Sequence, residues 1–265
     1  MPTDTELDFV QALAAPLPVM VIAEMLGVAD GDMATFKGWS DEIFSNIGEI
    51  LFGTPSAESE LASQEMNTYF LQRINHIRRR PKQHLLGQLV ATELEDGKLD
   101  DEELLSFCRL LLIAGNETTT GLITASARIF YEEPDTLIQV KDKPQLAKSF
   151  VEEALRFYSP FSATVRRTTK DVEVAGQAIA AGELVIPLLA SANRDERVFE
   201  APDTFILDRS PNPHLGLGFG IHVCLGAHLA RLEGKIVVEQ MAERYRSIEL
   251  VNAQGTSVGE LSLIH

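Results

Sequence analysis

The sequence predicts a mostly α-helical fold that carries small β-sheets. Over residues 8–158 apolar side chains recur at intervals of three and four, which is typical of amphipathic helices. From about residue 161 the period changes, and short β-branched runs bounded by glycine indicate small strands. The chain has 265 residues, 45% of them hydrophobic, and can bury one large core or two smaller ones. We expect a single domain over residues 1–265, mainly helical in 1–160 and strand-containing in 161–265.

Three amphipathic helices are expected first. Asp8–Leu26 has helical spacing around an interruption at Pro16–Pro18, and the segments Asp32–Phe52 and Ser59–Arg80 follow it. We therefore expect the chain to begin as a set of packed helices.

A long helix is predicted from about Asp101 to Tyr131. Asp100 and Glu103 have the spacing of a cap and its reciprocal partner, which marks the start of that helix. A further helix over Lys143–Tyr158 is stopped by Ser159-Pro160.

Short strands should follow. The β-branched runs are Thr164–Arg167, Val172–Val174 and Leu184–Leu188, and Gly176 and Gly182 separate them. A last helical pattern begins after residue 226 and runs to about Tyr245.

Charge and cysteine content limit the possible environments. The formal net charge of −16 argues against nucleic acid and against an anionic membrane surface as partners. No apolar run approaches the roughly 20 residues that cross a bilayer. The two cysteines, Cys108 and Cys224, form no disulfide framework and favour a reducing compartment. We therefore expect a soluble cytoplasmic protein.

A glycine-rich loop, Pro213–Gly226, contains one of the two cysteines. Gly218, Gly220 and Gly226 allow the tight folding that turns amide groups toward the Cys224 sulfur, and the following helix favours a thiolate. One thiolate is too few for a structural zinc site but suits the axial ligand of a haem. The alternative is a buried free cysteine in a turn.

The loop resembles the haem-binding loop of the cytochrome P450 family, which reads Phe-x-x-Gly-x-His/Arg-x-Cys-x-Gly. Gly220, His222, Cys224 and Gly226 match in place, while Leu217 stands where the family usually has phenylalanine. The resemblance implies that Cys224 is the axial ligand of haem iron, and that Leu217, Gly218, His222 and Gly226 contact the haem.

The middle of the long helix, Ala114–Thr120, contains poor helix formers. A threonine hydroxyl there can bond the carbonyl four residues back and loosen the helix, although tertiary packing alone could explain these residues. The segment also resembles the family's Ala/Gly-Gly-x-Asp/Glu-Thr motif. The resemblance implies that Gly115 leaves space for dioxygen, that Thr118 hydrogen-bonds the bound oxygen ligand, and that Glu117 relays protons.

For two further sets of residues, a role is implied only by the resemblance. Glu153 and Arg156 lie three apart on a helix, which is usually a surface pair; the family pairs them with a later arginine, here Arg209, in a buried structural network. The resemblance also implies that Arg166, with a contact from Thr164, binds a haem propionate. Arg167 is expected on the surface, and Arg194 and Asp195 are interpreted as scaffold. The remaining histidines to note are interpreted as ordinary polar residues: His214, His228 and His265.

The resemblance starts near residues 8–28 and continues to the end of the chain. The family's first helices, two strands of its main sheet and the roof of its substrate pocket lie before that point. We therefore expect an N-terminally incomplete domain, as a fragment or a natural truncation, with doubtful haem retention. Unpaired strand edges near 164–167 and 184–188 would then favour self-association.

The resemblance implies a haem-thiolate monooxygenase of the bacterial or archaeal soluble type. It would use haem b and two electrons from a ferredoxin-type or similar donor to activate O₂ and hydroxylate a small apolar substrate. The alternative class is a non-catalytic haem-binding module or an inactive haem-free remnant. A peroxide-using enzyme is a third possibility, and the Glu117–Thr118 pair argues against it.

Overall fold

The computed structural model describes residues 5–46, 56–80, 83–91, 93–94, 97–251 and 260–264. The fold is mostly helical with small sheets, as the sequence predicts. Contacts divide the chain into two compact units, Val10–Thr120 and a second one made of Met1–Phe9 with Gly121–His265. In the described ranges we find no helix with the length and apolar character needed to span a bilayer.

The unit Val10–Thr120 is built almost entirely from helices. After strand β1 (Thr5–Leu7) of the other unit, its elements are a π-helical turn (Val10–Ala14), α1 (Pro16–Leu26), a 3-10 turn (Asp30–Asp32), α2 (Met33–Ser45), α3 (Ala57–Arg79), α4 (Leu85–Ala91), the short strands β2 (Glu93–Leu94) and β3 (Gly97–Lys98), and most of α5 (Asp101–Glu132). Residues 47–52 of the helix predicted over Asp32–Phe52 lie outside the described ranges.

Local signals explain where these helices begin. Proline occupies the first turn of α1, where its missing N–H costs nothing. The Ser56 hydroxyl accepts a hydrogen bond from the Ser59 amide at 3.2 Å and caps α3. At α5 the Asp100 and Glu103 side chains each accept from the other's amide, at 2.8 and 3.1 Å. The predicted reciprocal cap is confirmed.

The second unit combines helices with small antiparallel sheets. Its elements after the end of α5 are α6 (Pro134–Asp142), α7 (Leu146–Phe157), β4 (Arg166–Arg167), β5 (Val172–Val174), β6 (Gln177–Ile179), β7 (Leu184–Val185), α8 (Leu189–Ala192), a 3-10 turn (Gly220–His222), α9 (Ala227–Arg244), β8 (Ser247–Val251) and β9 (Glu260–Ile264). Phe150 is at the centre of its core, with ring centroids 4.8 Å from Phe130 and 5.3 Å from Phe205. Helix α9 packs against α7 and α6.

The strands pair locally. β4 pairs with β7, β5 pairs with β6, and β9 lies between β1 and β8. The two runs expected to present unpaired edges, 164–167 and 184–188, thus pair with each other over two residues. Leu184, Ile186 and Leu188 remain exposed, and self-association through this face stays a prediction.

Glu233 on α9 is a buried carboxyl group in the second unit. Its Oε2 atom has no hydrogen-bond partner among the described residues, and burial raises the pKa of Glu233 from 4.5 to about 7. The unfolded chain therefore ionises this group first as the pH rises. The resulting loss of stability is absent below pH 4.5, grows between pH 4.5 and about 7, and is complete above that.

Glu233→Gln should therefore raise the free energy of unfolding at pH 8 by about 1–3 kcal/mol. The same substitution should have little effect below pH 4.5, where the carboxyl is protonated in both states. Urea unfolding of the two proteins at several pH values measures the difference. A gain that does not depend on pH would contradict the assignment.

Candidate functional site

The cysteine loop, residues 213–226, ends at the first turn of α9. The Cys224 side chain is exposed, and its amide donates to the Leu217 carbonyl at 2.8 Å. Gly226 is the residue before α9, and a Cβ added to it would lie 3.9 Å from the Cys224 sulfur. The sulfur thus belongs to a residue just before a helix N-terminus, where free amides and the helix dipole favour an anion.

Gly218 allows this loop to close. Its φ angle is +76°, and an added Cβ would lie 2.8 Å from the His222 carbonyl oxygen. The Gly218 amide donates to the Leu215 carbonyl at 2.9 Å, so the loop turns back on itself before Cys224. A larger residue would be strained in its backbone and would also collide with the loop.

Large apolar side chains near the cysteine in the chain are exposed to solvent. Phe219 is 84% exposed and Ile221 is 97% exposed, and Val223 and Leu225 on either side of Cys224 are exposed as well. Four neighbouring apolar side chains in such a position indicate a surface that is covered by a bound group or a partner.

Arg166 and Thr164 lie together beside β4. Arg166 Nη1 donates to Thr164 Oγ1 at 2.7 Å and to the Val165 carbonyl at 2.8 Å, and the Arg166 side chain is exposed. His222 is also exposed. Among the described residues no hydrogen bond joins the Arg166–Thr164 pair to His222 or Cys224. The neighbouring Arg167 donates to the Gly182 carbonyl at 2.6 Å and is a surface residue, as predicted.

The threonine segment lies on α5, in the unit Val10–Thr120. Thr118 Oγ1 donates to the Ala114 carbonyl at 2.7 Å, which is the predicted bond to the carbonyl four residues back. Helix α5 nevertheless remains α-helical from Asp101 to Glu132. Ala114 is exposed and Thr118 is half-buried on the same face of the helix.

Gly115 serves helix packing. A Cβ added there would lie 2.8 Å from Cδ1 and 2.9 Å from Cγ1 of Ile22 on α1. The space beside Gly115 is therefore filled by a side chain of its own unit. This contact concerns only the direction in which a Cβ would point, and the expectation that Gly115 leaves room for dioxygen stays a prediction.

The other polar residues of this segment have distinct environments. Asn116 is buried and donates to Ser40 Oγ at 2.8 Å, and Thr120 Oγ1 donates to the Ala14 carbonyl at 3.1 Å. Glu117 is half-buried, and burial raises its pKa, with a smaller contribution from Asp41 that Lys37 opposes. Glu117 thus binds a proton more readily than an exposed glutamate does.

Glu153 and Arg156 on α7 form a buried ion pair. Both side chains are 0% exposed, and Arg156 donates two hydrogen bonds to the carboxylate, at 2.7 and 2.8 Å. Arg156 also donates to the carbonyls of Asn193, Pro202 and Thr204, at 2.9, 2.8 and 3.1 Å. All donor groups of the guanidinium that face the interior are thus occupied.

Arg209 completes the network. Its Nε donates to both Glu153 carboxylate oxygens, at 3.0 and 3.1 Å. The Ile206 amide and Asn212 Nδ2 also donate to this carboxylate, at 3.0 and 3.1 Å. The three residues that the sequence grouped are therefore in contact, and α7 is tied to the segment that precedes the cysteine loop.

The sequence reasoning missed the residues that bind the start of the cysteine loop. Buried Asn193 accepts a hydrogen bond from the Leu215 amide at 2.7 Å. His214, which was interpreted as an ordinary polar residue, contacts Glu152 on α7, and Arg231 on α9 contacts the same carboxylate. The available signals were the position of His214 in the loop and the adjacency of Glu152 to Glu153.

Comparisons with known proteins identify the family of this chain. The family model for cytochrome P450 matches residues 41–255, well over half of the chain. The chain is 40% identical over 259 residues to a putative cytochrome P450, YjiB, of Bacillus subtilis, covering 94% of this chain and 63% of that protein. It is 41% identical over 250 residues to cytochrome P450 119 of Sulfolobus acidocaldarius, covering 94% and 64%.

The fold is similar to that of a solved P450. Superposition on CYP109E1 from Bacillus megaterium in complex with testosterone gives a TM-score of 0.85 at 39% identity, covering 98% of this chain and 72% of that one. The chain spans 59–65% of the length of the relatives whose sequences it matches. With a matching family model, relatives at this level of identity and the same fold, the chain belongs to the cytochrome P450 family.

Proposed function

We propose that the whole protein is a haem-thiolate monooxygenase that transfers one oxygen atom from O₂ to a C–H bond of a small apolar substrate. The observation that carries the proposal is the exposed Cys224 on a closed glycine-rich loop at the N-terminus of α9. In a protein of this family, such a cysteine would bind the iron of the haem, which we take to be haem b.

The residues around Cys224 fit a haem. The loop offers one thiol at a helix N-terminus, and the exposed Phe219 and Ile221 leave apolar surface that a large planar macrocycle would cover. Leu217, Gly218 and Gly226 shape the loop and would lie against the ring. We assign the cationic Arg166, supported by Thr164, to one propionate and His222 to the other.

When bound, the haem supplies the redox chemistry that cleaves dioxygen, and a thiolate ligand favours this cleavage by donating electron density. The protein must then deliver protons. Glu117 is suited to carry one because burial raises its pKa, so this carboxyl group binds a proton more readily than an exposed glutamate does.

Thr118 is suited to receive this proton and to donate a proton for dioxygen cleavage. Its hydroxyl donates to the Ala114 carbonyl and keeps two lone pairs free, so it can accept a hydrogen bond from a water that Glu117 protonates. To pass a proton on, Thr118 would give up its hydrogen bond to the Ala114 carbonyl and donate to dioxygen instead, while Oγ1 accepts the replacement proton from that water. The exposed face at Ala114 leaves room for such a water.

The electron-donor protein and the substrate class are inferred from membership of the same family. A ferredoxin-type protein would supply the two electrons that the reaction consumes. The substrate is an apolar molecule, and the testosterone complex of the similar CYP109E1 supports this class.

Thr118→Ala should uncouple electron use from product formation. The haem-loaded variant should consume the electron donor at a similar rate but form about tenfold less product and more hydrogen peroxide, because the positioned donor is lost. Donor consumption, peroxide and product are measured with a ferredoxin-type reductant and O₂.

Thr118→Ser is the matched control, since it keeps the hydroxyl and should keep the coupling. Equal coupling in Thr118→Ala and the unmodified chain would reject the proton-delivery role.

A further inference from the structure

Both ends of the cysteine loop are anchored to one carboxylate. Glu152 Oε2 lies 3.0 Å from His214 Nε2, at the start of the loop. Arg231, in the second turn of α9, donates to Glu152 Oε1 at 2.7 Å and to Oε2 at 3.0 Å. Cys224 lies between these two anchor points in the chain.

His214 is held in one tautomer by its two contacts. Its side chain is only 4% exposed. The Gly216 amide donates to His214 Nδ1 at 3.1 Å, so Nδ1 must be the unprotonated nitrogen. Nε2 therefore carries the proton and donates it to Glu152. The imidazole thus links the carboxylate of α7 to the backbone of the loop.

The start of the loop lies directly against α7. A Cβ added to Gly216 would be 2.6 Å from the Leu155 carbonyl oxygen, so the backbones are in close contact there. The Leu215 amide is bound by Asn193 and the next amide by His214. Two successive N–H groups are thus fixed before the chain turns at Gly218.

Glu152 is separate from the neighbouring structural network. Glu153 is bound by Arg156 and Arg209, whereas among the described residues Glu152 forms its ion pairs with His214 of the loop and Arg231 of α9. Burial alone would raise the pKa of Glu152, but the hydrogen bonds from His214 and Arg231 lower it to about 2. The carboxylate is therefore ionised whenever the protein is folded under ordinary conditions.

We propose that Glu152 and His214 are positioning residues that hold the cysteine loop in the conformation in which Cys224 binds iron as a thiolate. Neither residue touches the sulfur, and both act through the backbone between residues 214 and 231. This inference rests on the proposed function. Glu152 would thus position the cysteine loop, whereas the neighbouring Glu153–Arg156 pair ties α7 to the segment that precedes the loop.

Three conservative substitutions separate the two contacts. His214→Asn keeps an acceptor where Nδ1 was but loses the link to Glu152, and His214→Gln keeps a donor for Glu152 but loses the acceptor for Gly216. Glu152→Gln keeps the shape but removes the charge that holds Arg231. His228→Asn and His228→Gln are matched controls, because His228 is exposed.

The first measurement uses the haem-free chain. In the unmodified protein the Cys224 amide is protected by its bond to the Leu217 carbonyl. Hydrogen exchange at that amide should be about tenfold faster in all three variants and unchanged in the two controls, since each variant removes one buried hydrogen bond.

The second measurement uses the haem-loaded chain, reduced and treated with CO. The ratio of thiolate-type to thiol-type haem should fall about tenfold in each variant and stay the same in the controls. Equal Cys224 amide exchange or an equal spectral ratio in the variants and the unmodified chain would overturn the positioning role. A missing thiolate band in the unmodified chain would instead overturn the proposed function, and amide exchange would still decide whether the anchors hold the loop.

Discussion

Replacing Arg156 with leucine should lower the free energy of unfolding by about 3–5 kcal/mol, because it leaves the Glu153 charge buried with too few partners. The substitution also removes the donors to three carbonyl groups of the segment 193–204. Arg209 Nε still donates to both Glu153 oxygens, but this one shared N–H cannot replace the two separate hydrogen bonds from Arg156. Urea unfolding of the haem-free chain measures the loss.

The matched control is Arg128→Leu. Arg128 pairs with Glu132 on the same unit, but its side chain is 60% exposed. Its loss should cost about 1 kcal/mol or less, because solvent screens such pairs. Equal losses of unfolding free energy in the two variants would show that the buried network stabilises the fold no more than an exposed ion pair does.

Cys224→Ala should abolish every thiolate signature of bound haem, while Cys108→Ala should leave it intact. Cys108 is completely buried on α5, and burial raises the pKa of its thiol to about 12, so it cannot supply a thiolate. Cys224 is exposed on its loop. Electron paramagnetic resonance of the ferric haem-loaded proteins distinguishes thiolate from other axial ligands. Loss of the signature in Cys108→Ala, with retention in Cys224→Ala, would reverse the assignment.

Local sequence signals account well for the elements whose ends are set by nearby residues. Asp100 and Glu103 cap α5 as predicted because both partners lie within one turn. The cysteine loop could be recognised because its glycines and Cys224 have a characteristic spacing, and the φ angle of +76° at Gly218 shows why a glycine is needed there. The strand over Val172–Val174 also has its predicted bounds, since alternating β-branched residues and a glycine turn define it.

Features that depend on distant contacts could not be predicted from the sequence. The close contact between Gly115 and Ile22 joins residues almost a hundred positions apart in the chain, and only the packed helices reveal it. His214 has an unremarkable local context, and its partner Glu152 is 62 residues away. Helix α6 was not anticipated, although Pro134 occupies its first turn as helix-starting prolines do.

The absorption spectrum of the purified, haem-loaded chain, reduced and treated with CO, tests the central claim most directly. If Cys224 binds the iron as a thiolate, the Soret band should lie at the long wavelength that distinguishes haem-thiolate proteins, and it should be lost in Cys224→Ala. Titration of the chain with haem should saturate at one haem per chain. A spectrum of the histidine or thiol type, or binding that never saturates, would contradict the account.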